Sequence, residues 1–76
     1  MNDIIGNVAQ ELADHLDDLR DTGEGVTDYD EGDRSFPVTE VGDAEMDKGL
    51  ATVFKPSCSF FAVVKGQRLR VTVAAE

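Results

Sequence analysis

Two apolar runs that meet at a glycine near the C-terminus constrain this chain more than any other feature. Residues 58–64 (CSFFAVV) and 69–75 (LRVTVAA) flank Gly66-Gln67, and glycine at the first central position of a two-residue loop suits a type II′ hairpin turn. That turn predicts pairs between Val64 and Leu69, Ala62 and Val71, and Phe60 and Val73. These six residues share one face of the hairpin, because successive side chains alternate across a strand. The other face then carries Phe61, Val63, Lys65, Arg68, Arg70 and Thr72. One face is therefore apolar and must be covered. The second mixes an aromatic ring with arginines, a combination enriched at protein interfaces.

A helix is available to cover the apolar face. Ile5, Val8, Leu12, Leu16 and Leu19 recur at spacings of 3, 4, 4 and 3, with Ile4, Ala9 and Ala13 widening the stripe. Asn2 or Asp3 can cap its start, and Gly23 stands where a left-handed C-terminal glycine is expected. The spacing thus predicts an amphipathic helix over 3–21. Residues 22–34 (TGEGVTDYDEGDR) read as an acidic loop with a short strand at Val26–Tyr29. Residues 35–75 read as β-rich. Ser35–Val41 is a candidate strand that Pro37, lacking a backbone donor, confines to an edge. Gly42–Gly49 is a second acidic turn or a single helical turn, and Leu50–Lys55 a further strand that returns through Pro56-Ser57. The predicted fold is α+β, with an N-terminal amphipathic helix packed on a three- to four-stranded antiparallel sheet that ends in a β-hairpin. At 76 residues it is a single small domain, able to bury only about 60% of its unfolded surface.

Charge is distributed unevenly over that frame. The chain carries a net −9, yet residues 1–47 hold 15 acids against two bases, while residues 48–76 hold five bases against Glu76. A two-sided charge distribution bears on partners and solubility, not on fold. On the predicted helix Glu11, Asp14, Asp18 and Asp21 fall on the face opposite the apolar stripe, flanked by Asp17. Glu24, Asp28, Asp30, Glu31 and Asp33 continue the band into the loop. The band opposes the helix: negative charge near a C-terminus costs about 0.3–1 kcal/mol per group. Like charges at (i, i+4), here Asp14 with Asp18 and Asp17 with Asp21, add a few tenths each.

Sites for chemistry are scarce. An EF-hand count from Asp28 places Gly32 at position 5, Asp33 at position 6 and Thr39 at position 12, failing the pattern at all three. His15 has no evident orienting partner for base catalysis. Cys58 is the only cysteine and reads as a half-buried strand residue; a lone thiol fits a reducing, cytoplasmic setting. Tyr29 either plugs its loop onto the core or presents a contact ring. No glycine loop suited to phosphate precedes a helix, and the positive footprint that nucleic-acid binding needs is missing overall. The composition therefore predicts no enzyme, no cofactor, no metal, no membrane span and no direct nucleic-acid binding.

Three readings of the acid band remain: a nucleic-acid mimic, plain solvation of another binding module, and halophilic adaptation. The first is the leading expectation. Carboxylates one helical turn apart approximate phosphate charge, so the band would dock on a protein or complex with a basic nucleic-acid-binding surface. No family motif is matched; in size and charge the chain resembles small acidic inhibitors of phages and mobile elements, including anti-CRISPR and anti-restriction proteins. That resemblance implies stoichiometric inhibition in a host cytoplasm, by a monomer or homodimer. The alternative is a small phage or cellular structural or adaptor module. Its interface would be the hairpin face of Phe61, Val63, Arg68 and Arg70.

Overall fold

The computed structural model describes residues 3–47 and 56–75. Helix α1 (Asp3–Thr22) is followed by β1 (Val26–Thr27), β2 (Ser35–Phe36), β3 (Val38–Val41), β4 (Glu45–Met46), β5 (Ser57–Val64) and β6 (Gln67–Ala74). β1 and β2 form a two-stranded ribbon. The other four strands form an antiparallel sheet with β5 at its centre. The α+β architecture expected from the sequence is present, with α1 packed on that sheet.

The helix buries a narrower seam than its large residues suggest. Ala9 and Ala13 are the buried residues of the helix, at 0% and 2% exposure, with Ala13 packed on the sheet, whereas Val8 and Leu12 stay 42% and 43% exposed. The reason is steric. Phe60 and Ala62 rise from β5 into contact with Ala13, joined at the margin by Leu16, Val41, Ala44, Val64 and Val71. Only a small side chain lets a helix approach that closely, so the alanines take the seam and Val8 and Leu12 are turned onto its flank. Ile4 is 79% exposed. Phe60 supplies the largest apolar surface of the core, and burying such a ring contributes about 1.5–3 kcal/mol.

The hairpin turn differs from expectation by one position. Lys65 (φ 52°) and Gly66 (φ 77°) both lie in the left-handed region, the signature of a type I′ loop whose twist matches that of the flanking strands. The central pair is thus Lys65-Gly66 rather than Gly66-Gln67. The observed partners are Val64↔Gln67, Ala62↔Leu69, Phe60↔Val71 and Cys58↔Val73. This slides the register by two residues, and a shift of two leaves every side chain on its predicted face.

On the other side of β5, β3 and β4 lie end to end. Val38 and Val41 pair with Val64 and Ala62, with a bulge between Val38 and Glu40; Glu45 and Met46 pair with Ser59 and Cys58. Between them Gly42 donates to the Phe61 carbonyl at 2.8 Å, and beyond β4 Asp47 donates to the Ser57 carbonyl at 3.0 Å. Within Gly42–Gly49, expected as an acidic turn or helical turn, Glu45–Met46 instead form a strand that continues the sheet edge. Gly42 makes this possible, since a Cβ there would collide with the Phe61 ring. The predicted strand over Leu50–Lys55 lies outside the described residues.

Pro37 divides the predicted Ser35–Val41 strand. β2 pairs with β1 through Val26↔Phe36 and Thr27↔Ser35, while β3 joins the main sheet. Proline supplies no donor, but its carbonyl accepts the Lys65 N–H at 2.8 Å. The chain leaves one sheet and enters the other at this residue.

Candidate functional site

The acidic helix row is present but unevenly free. Glu11, Asp14 and Asp18 are exposed along the outer face of α1, and Gln10 Nε2 donates to Asp14 Oδ1 at 3.0 Å. Asp17 is half-buried on the β3 side, where it lines a shallow recess with Val41 and Gly42. Arg20 bridges Asp17 at 2.7 Å and Asp21 at 3.6 Å. The C-terminal end of the row is therefore partly neutralised, which relieves some of the conflict with the helix dipole.

The loop acids divide in the same way. Asp28 Oδ1 accepts the N–H groups of Asp30 (2.9 Å) and Glu31 (3.3 Å), so this carboxylate shapes the turn. The Asp28 N–H donates to the Arg34 carbonyl at 2.9 Å, closing the loop above β1 and β2. Glu31 is paired with Arg34 at 3.0 Å. Glu24, Asp30 and Asp33 are exposed, and Tyr29 stands 92% exposed at the loop. Tyr29 is thus presented and does not plug the core. Among the described residues no hydrogen bond or ion pair joins the loop acids to the helix row.

The outer face of the sheet holds the most organised polar cluster. Asp47 Oδ2 accepts from Ser57 Oγ at 2.6 Å and from Ser59 Oγ at 2.8 Å, and Asp47 Oδ1 accepts from Arg70 Nη2 at 2.7 Å. Ser59 Oγ also shares a hydrogen bond with Thr72 Oγ1 at 2.9 Å. The two serine hydroxyls, and then the Arg70 guanidinium, hold the Asp47 carboxyl below the ordinary carboxylate range. Sequence reasoning placed Asp47 in the general acid band and missed this role. The signal was the alternation Ser57-x-Ser59, two small hydroxyls on one face of a strand otherwise built of large apolar groups.

Beside this cluster the Arg68 guanidinium lies 4.2 Å above the Phe61 ring, a cation–π arrangement. Phe61 and Val63 are half-buried; Arg68 and Arg70 are exposed. The predicted second interface is thus assembled on one face, and Arg68 covers part of the aromatic surface that the sequence suggested would be open. Lys65 Nζ stands 5.2 Å from the Phe36 ring, tying the hairpin turn to β2.

Among the described residues no group of three or more His, Cys, Asp or Glu side chains converges as a metal cage. Cys58 is buried within the sheet. His15 is exposed on the flank of α1 near Val8 and Leu12. No helix among the described residues is long and apolar enough to cross a membrane. The fold and its charged surfaces define a small α+β protein with an acidic helix face and an arginine-bearing sheet face. No family model matches the chain, and comparison with curated proteins and with solved structures finds no significant match.

Proposed function

We propose that this protein is a non-enzymatic inhibitor that occupies a basic DNA- or RNA-binding surface on a protein partner, as a mimic of nucleic-acid charge. One observation carries the reading. Glu11, Asp14, Asp17, Asp18 and Asp21 are all held on one rigid helix and span about 15 Å of its axis. That is one carboxylate per roughly 3–4 Å, with Arg20 offsetting one of the five charges, against about 3.4 Å per phosphate along one strand of duplex DNA. The exposed loop acids Asp30 and Asp33 extend the negative surface beyond the helix end. The partner class is a host nucleic-acid-handling or defence complex of the kind that phage inhibitors target.

Capture from a bacterial lysate, followed by competition, tests the reading. The captured protein should itself bind nucleic acid, be displaced by added duplex DNA or RNA, and elute steeply with salt. A Glu11→Gln/Asp14→Asn/Asp18→Asn variant should lose most of the capture. Undiminished capture by that variant, or failure of nucleic acid to compete, defeats the mimic. A second reading, an adaptor that binds through the sheet face, is favoured by the Arg68–Phe61 stack. It predicts that Arg68→Ala abolishes capture while the acid variant does not.

A further inference from the structure

The two edges of the main sheet are treated differently. On one side β3 and β4 are four and two residues long, interrupted by a bulge and by Gly42 and preceded by Pro37. These are the devices that stop a strand edge from recruiting another chain. On the other side β6 runs eight residues in unbroken register with β5, without proline, glycine or bulge. Among the described residues no strand lies against its far side.

The register shows which backbone groups are left over. Val64↔Gln67 closes the two-residue loop and is a hydrogen-bonded pair, so Leu69, Val71 and Val73 also bond inward to β5. The Ala75 N–H, bonded to the Pro56 carbonyl at 3.4 Å, continues the same alternation. The N–H and C=O groups of Arg68, Arg70, Thr72 and Ala74 point outward. Above this edge sits the apolar flank of α1. Gln10, Asp14 and Asp17 face Val41 and Gly42 on the β3 side; Val8 and Leu12 lie across the helix from them, on the β6 side. With Leu69, 39% exposed on the helix-facing side of β6, they form an apolar border to the open strand.

We propose that β6 pairs with β6 of a second copy of this chain, antiparallel about a two-fold axis, to join two sheets into one. The axis near Val71 sets Arg70 opposite Thr72 of the partner subunit and keeps arginines out of direct register, whereas an axis at Arg70 would oppose like charges. The edge can supply the bonds of a dimer. Pairing eight residues forms about eight interchain hydrogen bonds, within the roughly 10 ± 5 that a typical interface carries. Asp14 and Asp17 lie toward β3, away from the junction, whereas Glu11 borders the Val8–Leu12 flank. An isologous pair therefore leaves the β3-side acids of both copies open.

Sedimentation equilibrium of the full chain, with hydrogen exchange on the same samples, tests this. The expected result is a species of twice 8.2 kDa, with slow exchange at the outward amides of Arg68, Arg70 and Thr72. Association should strengthen with salt, because each copy carries net −9; mimic binding weakens with salt, so the two readings fail separately. Ala74→Pro removes one outward donor without touching the inward ladder or the Asp47 cluster. Leu12→Glu places charge on an already half-exposed flank and keeps the fold. Each should weaken the dimer at least about tenfold with circular dichroism unchanged. A monomer at all concentrations up to about 1 mM, the range of weak association, overturns the proposal. So does a dimer that survives both substitutions or leaves those amides in fast exchange.

Discussion

Replacing Lys65 by valine gives opposite results for the two hairpin turns that this sequence permits. In the structure Lys65 is the first central residue of the loop, with φ 52°. A left-handed backbone costs an L-residue about 1–2 kcal/mol, and a β-branched side chain fits it worse still. Lys65→Val also removes the ammonium from above the Phe36 ring, worth about 0.5–1 kcal/mol at an exposed site. Lysine already bears the cost of the left-handed backbone, so the difference is the extra cost of the β-branch plus the lost contact, a loss of at least about 0.5–1 kcal/mol. For a domain of 60–100 residues about 1 kcal/mol shifts Tm by 4–8 °C, so the midpoint should fall by at least about 2 °C. Lys65→Asn should do the reverse on the backbone account, because asparagine tolerates this conformation. Its gain of up to about 1 kcal/mol is partly offset by the same lost contact with Phe36. Were Gly66-Gln67 the central pair, Lys65 would end a strand, and valine would gain up to about 1 kcal/mol while asparagine would lose. Thermal and urea unfolding followed by circular dichroism decide the matter. A valine variant at least as stable as the parent refutes the I′ register.

Three further outcomes follow from the packing and the charges. Ala13→Leu should cost about 1–3 kcal/mol by overpacking the seam, measured by urea unfolding, whereas Leu12→Ser on the exposed flank should cost much less; equal costs would restore the wider stripe. Gly42→Val should expel the Phe61 ring and abolish its stack with Arg68, seen as loss of the ring-current shifts on the Arg68 side chain by NMR. Asp47 has a folded pKa below the ordinary aspartate value, so its contribution is fully present above that ordinary value and disappears as pH falls through the folded one. The stability difference between the parent and Asp47→Asn should be constant from neutral pH to about 5 and shrink at more acid pH; a difference that grew on acidification would contradict the Ser57–Ser59–Arg70 clamp.

Periodicity made most of this fold legible. The helix and the final hairpin were readable because each has a long apolar pattern at its own period, and even a misplaced turn preserved the faces. The boundaries of the buried stripe were not readable, because hydrophobicity ranks Leu12 above Ala13 while contact distance with Phe60 ranks them the other way. Likewise, residues 42–47 look like a polar turn by composition. Their path along the sheet edge depends on the Phe61 ring resting on Gly42, a contact between residues 19 positions apart. The acidic surface was legible as composition, but the division of its labour was not. Asp28 and Asp47 serve as acceptors that fix backbone and strand, and Arg20 quiets the end of the helix row. Only the partners of a carboxylate distinguish a structural acid from a displayed one.

Pro37 gives the molecule a joint. The ribbon of β1 and β2 closes with two residue pairs and meets the body through the Pro37 carbonyl, the Phe36–Lys65 contact and the tether at the end of α1, where the Gly25 N–H reaches the Leu19 carbonyl at 3.3 Å. So few bonds make it a separate unit of local opening, cheaper to unfold than β5, which is bonded along both sides. Tyr29 and the loop acids can consequently open without disturbing the helix row, whose spacing is set by α1. Proline marks the boundary between the part of the acidic surface held by a long helix and the part held by two residue pairs.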